Sequence, residues 1–225
     1  MTGYFITFEG GEGAGKSTQI NRLRQRLAQQ GQSVLVTREP GGSPRAEEIR
    51  TFLLSGQAKP FGAFAEALLF YAARLDHLDQ TIRPALLKGT HVLCDRFSDS
   101  TRAYQGASGN VDKRLIEGVE RVVVADNKPD LTLILDLPVD VGLQRAGVRR
   151  EGAGEGVDRF EGEGLSFHEK LRQAYLDIAA SEPKRCVVID ANRSPDDVEA
   201  SIWHAVQTRL PLLAVNAKDA QPHGA

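Results

Sequence analysis

The chain has 225 residues, 26% of them charged, a net charge of -2 and two cysteines. That length supports one substantial core without disulfide staples, and the near-neutral charge leaves no electrostatic footprint for nucleic acid or a membrane surface. Cys94 and Cys186 each sit in a short apolar run and read as buried thiols. No apolar leader-like run precedes the first strand, and no apolar run approaches membrane-spanning length, so a cytoplasmic protein is expected.

The first element, Tyr4 to Glu9, alternates β-branched and aromatic residues and reads as a strand. Gly10-Gly11-Glu12-Gly13-Ala14-Gly15-Lys16-Ser17 follows, and Ile20, Leu23 and Leu27 then recur at helical spacing. Strand, glycine-rich loop and helix in that order turn G-x-x-x-x-G-K-[ST] into a phosphate-binding loop running into Thr18. Its glycines let backbone N–H groups curl round a polyphosphate, the helix N-terminus adds positive potential and Lys16 supplies a point charge. The Ser17 hydroxyl suits the accompanying Mg²⁺.

Further strands are expected at Ser33–Arg38, His91–Asp95, Leu131–Asp136 and Cys186–Asp190. Helices are expected at 44–54, at 64–87 with a bend near Pro84, after Ser100, and at 111–125, 139–148, 166–180 and 195–210. Short apolar strands alternating with helices imply an α/β fold with a parallel sheet covered on both faces, one domain over residues 1–214. The polar end from about Val215 reads as a frayed tail. Residues 146–164 are rich in glycine and charge, and a connection of that length in a compact domain suggests a lid.

Asn127-Lys128-Pro129-Asp130 matches the guanine-reading pattern N-K-x-D. No D-x-x-G lies between Ser17 and Asn127, and a proline at the third position suits a turn into the next strand. It reads as a loop.

Three further motifs direct the reading toward an acceptor. Thr37-Arg38-Glu39-Pro40-Gly41-Gly42 lies at the end of the second strand, where open parallel sheets bind ligands. Leu68 to Arg74 places Phe70 and Arg74 four residues apart on one helical face. Asp95-Arg96-Phe97-Ser98-Asp99-Ser100-Thr101-Arg102-Ala103-Tyr104-Gln105-Gly106 starts at the end of the third strand. Singly, Phe70 and Tyr104 suit a packed core, and Arg38 and Arg96 suit surface ion pairs.

Together with the phosphate loop, the three motifs resemble the thymidylate kinase family over nearly the whole chain, from Phe5 to about Ile202. The resemblance implies a three-layer P-loop NTPase fold with a five-stranded parallel sheet, a homodimer, and γ-phosphoryl transfer from Mg²⁺·ATP to dTMP. The acceptor phosphate is mostly dianionic at neutral pH, so the reaction needs cations and alignment more than a general base.

By resemblance, Gly10 to Thr18 would hold ATP, with Arg145 nearby, and Arg38 and Arg96 would grip the dTMP phosphate. Phe70 would stack on thymine and Arg74 would donate to the base carbonyl, with Glu39, Ser100, Thr101 and Gln105 around them. Tyr104 would crowd the sugar 2′ position and Glu12 would accept near the 3′-hydroxyl. Ser17 and Asp95 would attend the metal. Because Gly13 stands where some members carry a loop arginine, the transition-state cation would come from the lid: Arg149, with Arg145, Arg150 and Arg159 nearby. The other readings are a deoxynucleoside kinase, in which Glu39 would serve as base, and a nucleotide-controlled switch.

Overall fold

The computed structural model describes residues 2–153, 160, 162–210 and 213; the side chains of residues 149–153 lie outside that description. Five parallel strands form one sheet: β1 (Phe5–Glu9), β2 (Val34–Arg38), β3 (His91–Asp95), β4 (Leu131–Asp136) and β5 (Cys186–Asp190), in the order β2-β3-β1-β4-β5. The three central strands are buried almost throughout, whereas edge strands β2 and β5 alternate toward solvent. This is the expected consequence of covering both faces of a parallel sheet. Register sets Thr7 opposite Thr132, and their hydroxyls share a 2.7 Å hydrogen bond inside the sheet.

Successive strand residues feed opposite layers. Ile6, Leu93 and Leu133 pack against α1 (Lys16–Gln29) and α9 (Pro195–Arg209), with Leu23 and Ile202 among the contacts. Phe5, Val92 and Cys94 meet Leu78, Ile82 and Phe97 in the other layer. Both cysteines are free and buried, as their apolar settings lead one to expect.

The remaining helices are α2 (Pro44–Leu54), α3 (Ala63–His77), α4 (Arg83–Leu87), α5 (Ser98–Thr101), α6 (Lys113–Val123), α7 (Val139–Ala153) and α8 (Leu165–Ser181). The segment expected as one helix over 64–87 runs as α3, a π-helical turn at Leu78–Ile82 and α4, with Pro84 in the first turn of α4 directly after the π-helical turn. A second π-helical stretch, Arg102–Ser108, continues α5 and carries the Tyr104–Gln105 pair.

Helix α7 also continues past its expected end at Val148, so residues 147–153 are helical instead of opening the glycine-rich loop. The Arg149-Arg150-Glu151 run favours a helix enough to offset Gly147. The Arg149 and Arg150 side chains, all of Arg159, and the tail from Val215 lie outside the described residues.

Asn127 and Asp130 are used structurally. Asp130 Oδ2 accepts the Phe5 N–H at 2.7 Å, and Asn127 Oδ1 accepts from Arg83 at 3.1 Å. Both sit at the end of the sheet opposite the glycine-rich loop, which excludes a base-reading role beside that loop. Among the described residues no helix is long and apolar enough to cross a membrane.

Candidate active site

The glycine-rich loop leaves β1 at its carboxyl end and closes on α1. Gly10, Gly13 and Gly15 all have positive φ, and a Cβ on Gly13 would stand 2.1 Å from the Gly142 carbonyl oxygen of α7. Position 13 therefore excludes any side chain unless the backbone of loop or helix moves. Lys16 is buried and its Nζ donates to the Gly10 and Gly11 carbonyls at 3.2 and 3.0 Å. Burial first, and the Arg96 charge second, lower its pKa, against the opposing pull of Asp95, Glu12 and Glu9. Ser17 Oγ donates to Asp95 Oδ2 at 3.2 Å, joining the first turn of α1 to the end of β3.

Arg96 has φ 68°, an uncommon conformation for a residue with a side chain, and it turns the guanidinium back over the loop. It donates to Glu12 Oε1 at 2.8 Å, Gly10 O at 3.2 Å and the Tyr175 hydroxyl at 3.2 Å, and lies 5.0 Å from the Tyr104 ring centroid. Burial opposes its charge, but Tyr104, Glu12, Tyr175 and Asp95 outweigh burial and raise its pKa. Tyr104 donates to the same Glu12 oxygen at 2.8 Å while its ring packs edge-on to Phe160. Tyr104 is thus a packed ring with a polar tip, as its core reading has it.

Arg74 is 1% exposed and clasped between the Tyr71 and Phe97 rings. It donates to Glu39 Oε2 at 2.7 Å, Phe97 O at 3.0 Å and Thr101 Oγ1 at 3.3 Å. Burial works against its charge and Glu39 restores it, leaving the pKa raised. Arg38 is the more open cation, paired with Glu47 at 3.1 Å.

These groups surround one cleft of about 360 Å³. All ten residues singled out for the acceptor line it: Glu12, Arg38, Glu39, Phe70, Arg74, Arg96, Ser100, Thr101, Tyr104 and Gln105. Residues Gly13 to Thr18 and Asp95 form its other wall. Arg145 lies elsewhere, donating to the Ala191 carbonyl after β5 at 3.2 Å.

Sequence reasoning missed Glu9 and Tyr175. Glu9 is completely buried at the end of β1 and accepts from Phe97 N and Ser100 Oγ at 2.7 Å each and from Tyr175 OH at 3.1 Å. Burial, with the nearby Asp99 carboxylate, pushes its pKa up to about 7. A carboxylate ending a strand otherwise free of charge was the available signal. Tyr175 gave none, because a helical tyrosine among apolar residues reads as core. Phe160 and Arg50 also line the cleft.

Ser17 and Asp95 present two hard oxygen donors at the phosphate loop, a set that fits Mg²⁺. That ion commonly takes one or two protein oxygens and completes its shell with phosphate and water. Among the described residues no group of three or more His, Cys, Asp or Glu could form a protein-only metal cage.

The chain matches the thymidylate kinase family model over residues 8–202. It is similar to a thymidylate kinase of Nitrobacter hamburgensis, 59% identical over 97% of this chain and 94% of that one. It is similar also to one of Bradyrhizobium diazoefficiens, 61% identical over 92% and 90%. The crystal structure of thymidylate kinase from Ehrlichia chaffeensis superposes with a TM-score of 0.72 at 32% identity, covering 92% of this chain and 99% of that one. A phosphate loop facing an arginine-lined cleft, and these likenesses over nearly the full length, lead to one statement: this chain belongs to the thymidylate kinase family.

Proposed function

We propose that this chain is an ATP-dependent dTMP kinase, transferring the γ-phosphoryl group to dTMP to give dTDP as a single-domain cytoplasmic enzyme. The observation that carries the reading is Arg96, whose guanidinium lies between the phosphate loop at Gly10 and the acceptor cleft at Glu12 and Tyr104. A cation in that position serves both phosphates and the charge that spreads between them during transfer.

The acceptor oxygen is already anionic, so catalysis reduces to alignment and charge stabilisation. Lys16 and the loop amides of Gly10 to Thr18 hold the donor phosphates, with Arg145 beside the donor nucleotide. Arg38 and Arg96 hold the acceptor phosphate. Phe70 stacks on the base, Arg74 donates to its C4 carbonyl, and Thr101 and Gln105 complete that wall. Tyr104 excludes a ribose 2′-hydroxyl and Glu12 accepts from the 3′-hydroxyl. Ser17 and Asp95 would hold Mg²⁺, which would neutralise charge on the donor phosphates.

The close approach of Gly13 to Gly142 supports the assignment of Arg149 of the lid as the transition-state cation, since the loop has no room for an arginine of its own. Arg145, held at the Ala191 carbonyl, suits the donor nucleotide better than the transferring group. Homodimerisation is supported by Phe64, Leu68 and Leu75, exposed on one face of α3, together with exposed Leu115 and Val122 on α6.

ADP release with Mg²⁺·ATP tests the reading, comparing dTMP, dUMP, dCMP, dGMP and thymidine as acceptors. Strong dependence on dTMP is expected. Turnover with thymidine and not dTMP would move the function to nucleoside kinases, and indifference to every acceptor would leave a nucleotide-binding protein. Light scattering after size exclusion tests the dimer.

A further inference from the structure

Thr37, His77 and Glu39 form a hydrogen-bonded relay that ends on Arg74, with His77, Glu39 and Arg74 buried. His77 is wholly enclosed and lies outside the lining of the cleft. Its Nδ1 is 3.0 Å from Glu39 Oε1, and its Nε2 is 2.7 Å from Thr37 Oγ1. The second Glu39 oxygen accepts from Arg74 Nε at 2.7 Å. Nδ1 thus shares a hydrogen bond with the carboxylate and Nε2 one with the Thr37 hydroxyl, so the ring is held at both nitrogens.

The backbone is shaped to close this relay. Gly42 has φ +82°, and a Cβ there would stand 2.3 Å from His77 Nε2 and 2.5 Å from Thr37 Oγ1. Its carbonyl accepts from Thr81 Oγ1 at 2.8 Å, tying the turn to the helical segment that carries His77. Thr37, Glu39 and Gly42 of the one turn therefore converge on a histidine that no cleft ligand reaches.

We propose that His77 is a positioning residue for base recognition: through Glu39 it fixes the plane of the Arg74 guanidinium, with Thr37 fixing His77 in turn. This rests on the reading of Arg74 as the group that meets the thymine carbonyl. Without His77, Glu39 Oε1 is left buried without that donor and the carboxylate is free to rotate away from Arg74 Nε.

The test is steady-state kinetics and calorimetric dTMP binding for wild type, His77→Ala, His77→Asn and Thr37→Val, with dCMP as competing acceptor. Loss of one buried hydrogen-bond donor predicts a rise of about tenfold in KM and Kd for dTMP in His77→Ala, with kcat falling far less. The preference for dTMP over dCMP should shrink with it, because cytosine offers an amine where thymine offers an acceptor. Asparagine, which keeps a donor near the Nδ1 position, should recover most of the loss. Thr37→Val, which alters only the outer hydrogen bond, should raise KM by about threefold and serves if His77→Ala fails to fold. Variants that melt earlier but keep wild-type KM and base preference would overturn the relay while leaving the kinase reading intact. A wild-type chain indifferent to dTMP would overturn that reading, and the relay's role with it.

Discussion

Arg96 Nη2 stands 2.8 Å from Glu12 Oε1, so a carboxylate inside the phosphate loop anchors a cation that lines the cleft. The pair is mostly shielded, and Tyr104 donates to the same oxygen. Arg96→Ala is expected to lower kcat/KM for dTMP by about 100-fold or more, the scale for removing a preorganised transition-state donor. Arg96→Lys should restore little, because an ammonium cannot reach Glu12, Gly10 and Tyr175 together. Steady-state kinetics of the two variants checks this.

The Arg96–Glu12 pair should also be energetically coupled. A double-mutant cycle on kcat/KM with Arg96→Ala and Glu12→Gln is expected to depart from additivity by about 0.5–3 kcal/mol. Additive losses would separate the two roles.

Gly13 meets a backbone carbonyl of α7, so its replacement forces two main-chain segments apart. Gly13→Ala should lower stability by about 1–3 kcal/mol, for the positive φ and the 2.1 Å approach to Gly142 together. For a chain of this size that is a drop in Tm of several degrees, readable by calorimetry. Gly13→Arg should likewise fail to rescue Arg149→Ala, whose own loss should fall on kcat more than on ATP affinity.

Glu9 gives the protein a pH dependence of a definite sign. Its pKa rises from 4.5 to about 7 on folding, so between those values the folded chain binds more protons than the unfolded one. Its contribution then falls as pH climbs from 4.5 to 7 and is constant above, by about 3 kcal/mol across the window at 1.36 kcal/mol per unit. Glu9→Gln keeps acceptor and donor sites for Phe97, Ser100 and Tyr175 but removes this titration. The stability difference between wild type and Glu9→Gln, from urea melts at pH 5 and pH 7.5, should move in favour of the variant at the higher pH.

Removal of Mg²⁺ with a chelator should abolish turnover yet leave dTMP binding measurable, since Phe70 and Arg74 stand on α3 and not on the first turn of α1 or the end of β3 that carry Ser17 and Asp95. Asp95→Asn should raise the Mg²⁺ concentration for half-maximal rate by about 10–100-fold. Activity assays and calorimetry separate the two effects.

Local chemistry made much of this legible. The glycine pattern, the strand before it and the helix after it lie within a few residues of one another, so their geometry follows from backbone sterics alone. The same is true of the apolar strands, whose burial on both faces is written in their composition. The π turn at Leu78–Ile82 had no signal of its own in the sequence; it presents Leu78 and Ile82 to Phe5, Val92 and Phe97, which come from distant segments. The end of α7 was misplaced because glycine and charge outweighed the helical preference of Arg149 to Glu151.

The sequence by itself determined the class of fold and the phosphate loop, and its resemblance to the family singled out ten of the residues that line the cleft. The first two are matters of periodicity, spacing or a short motif. Only the tertiary structure decided what each residue touches there. Arg96 meets Glu12, Glu39 divides its oxygens between Arg74 and His77, and Glu9 is buried beside Asp99, across separations of 35 to 90 residues. Hydrogen bonding and desolvation act over a few ångströms, and which groups come within that range is fixed by the sheet order that brings β2, β3 and β1 side by side.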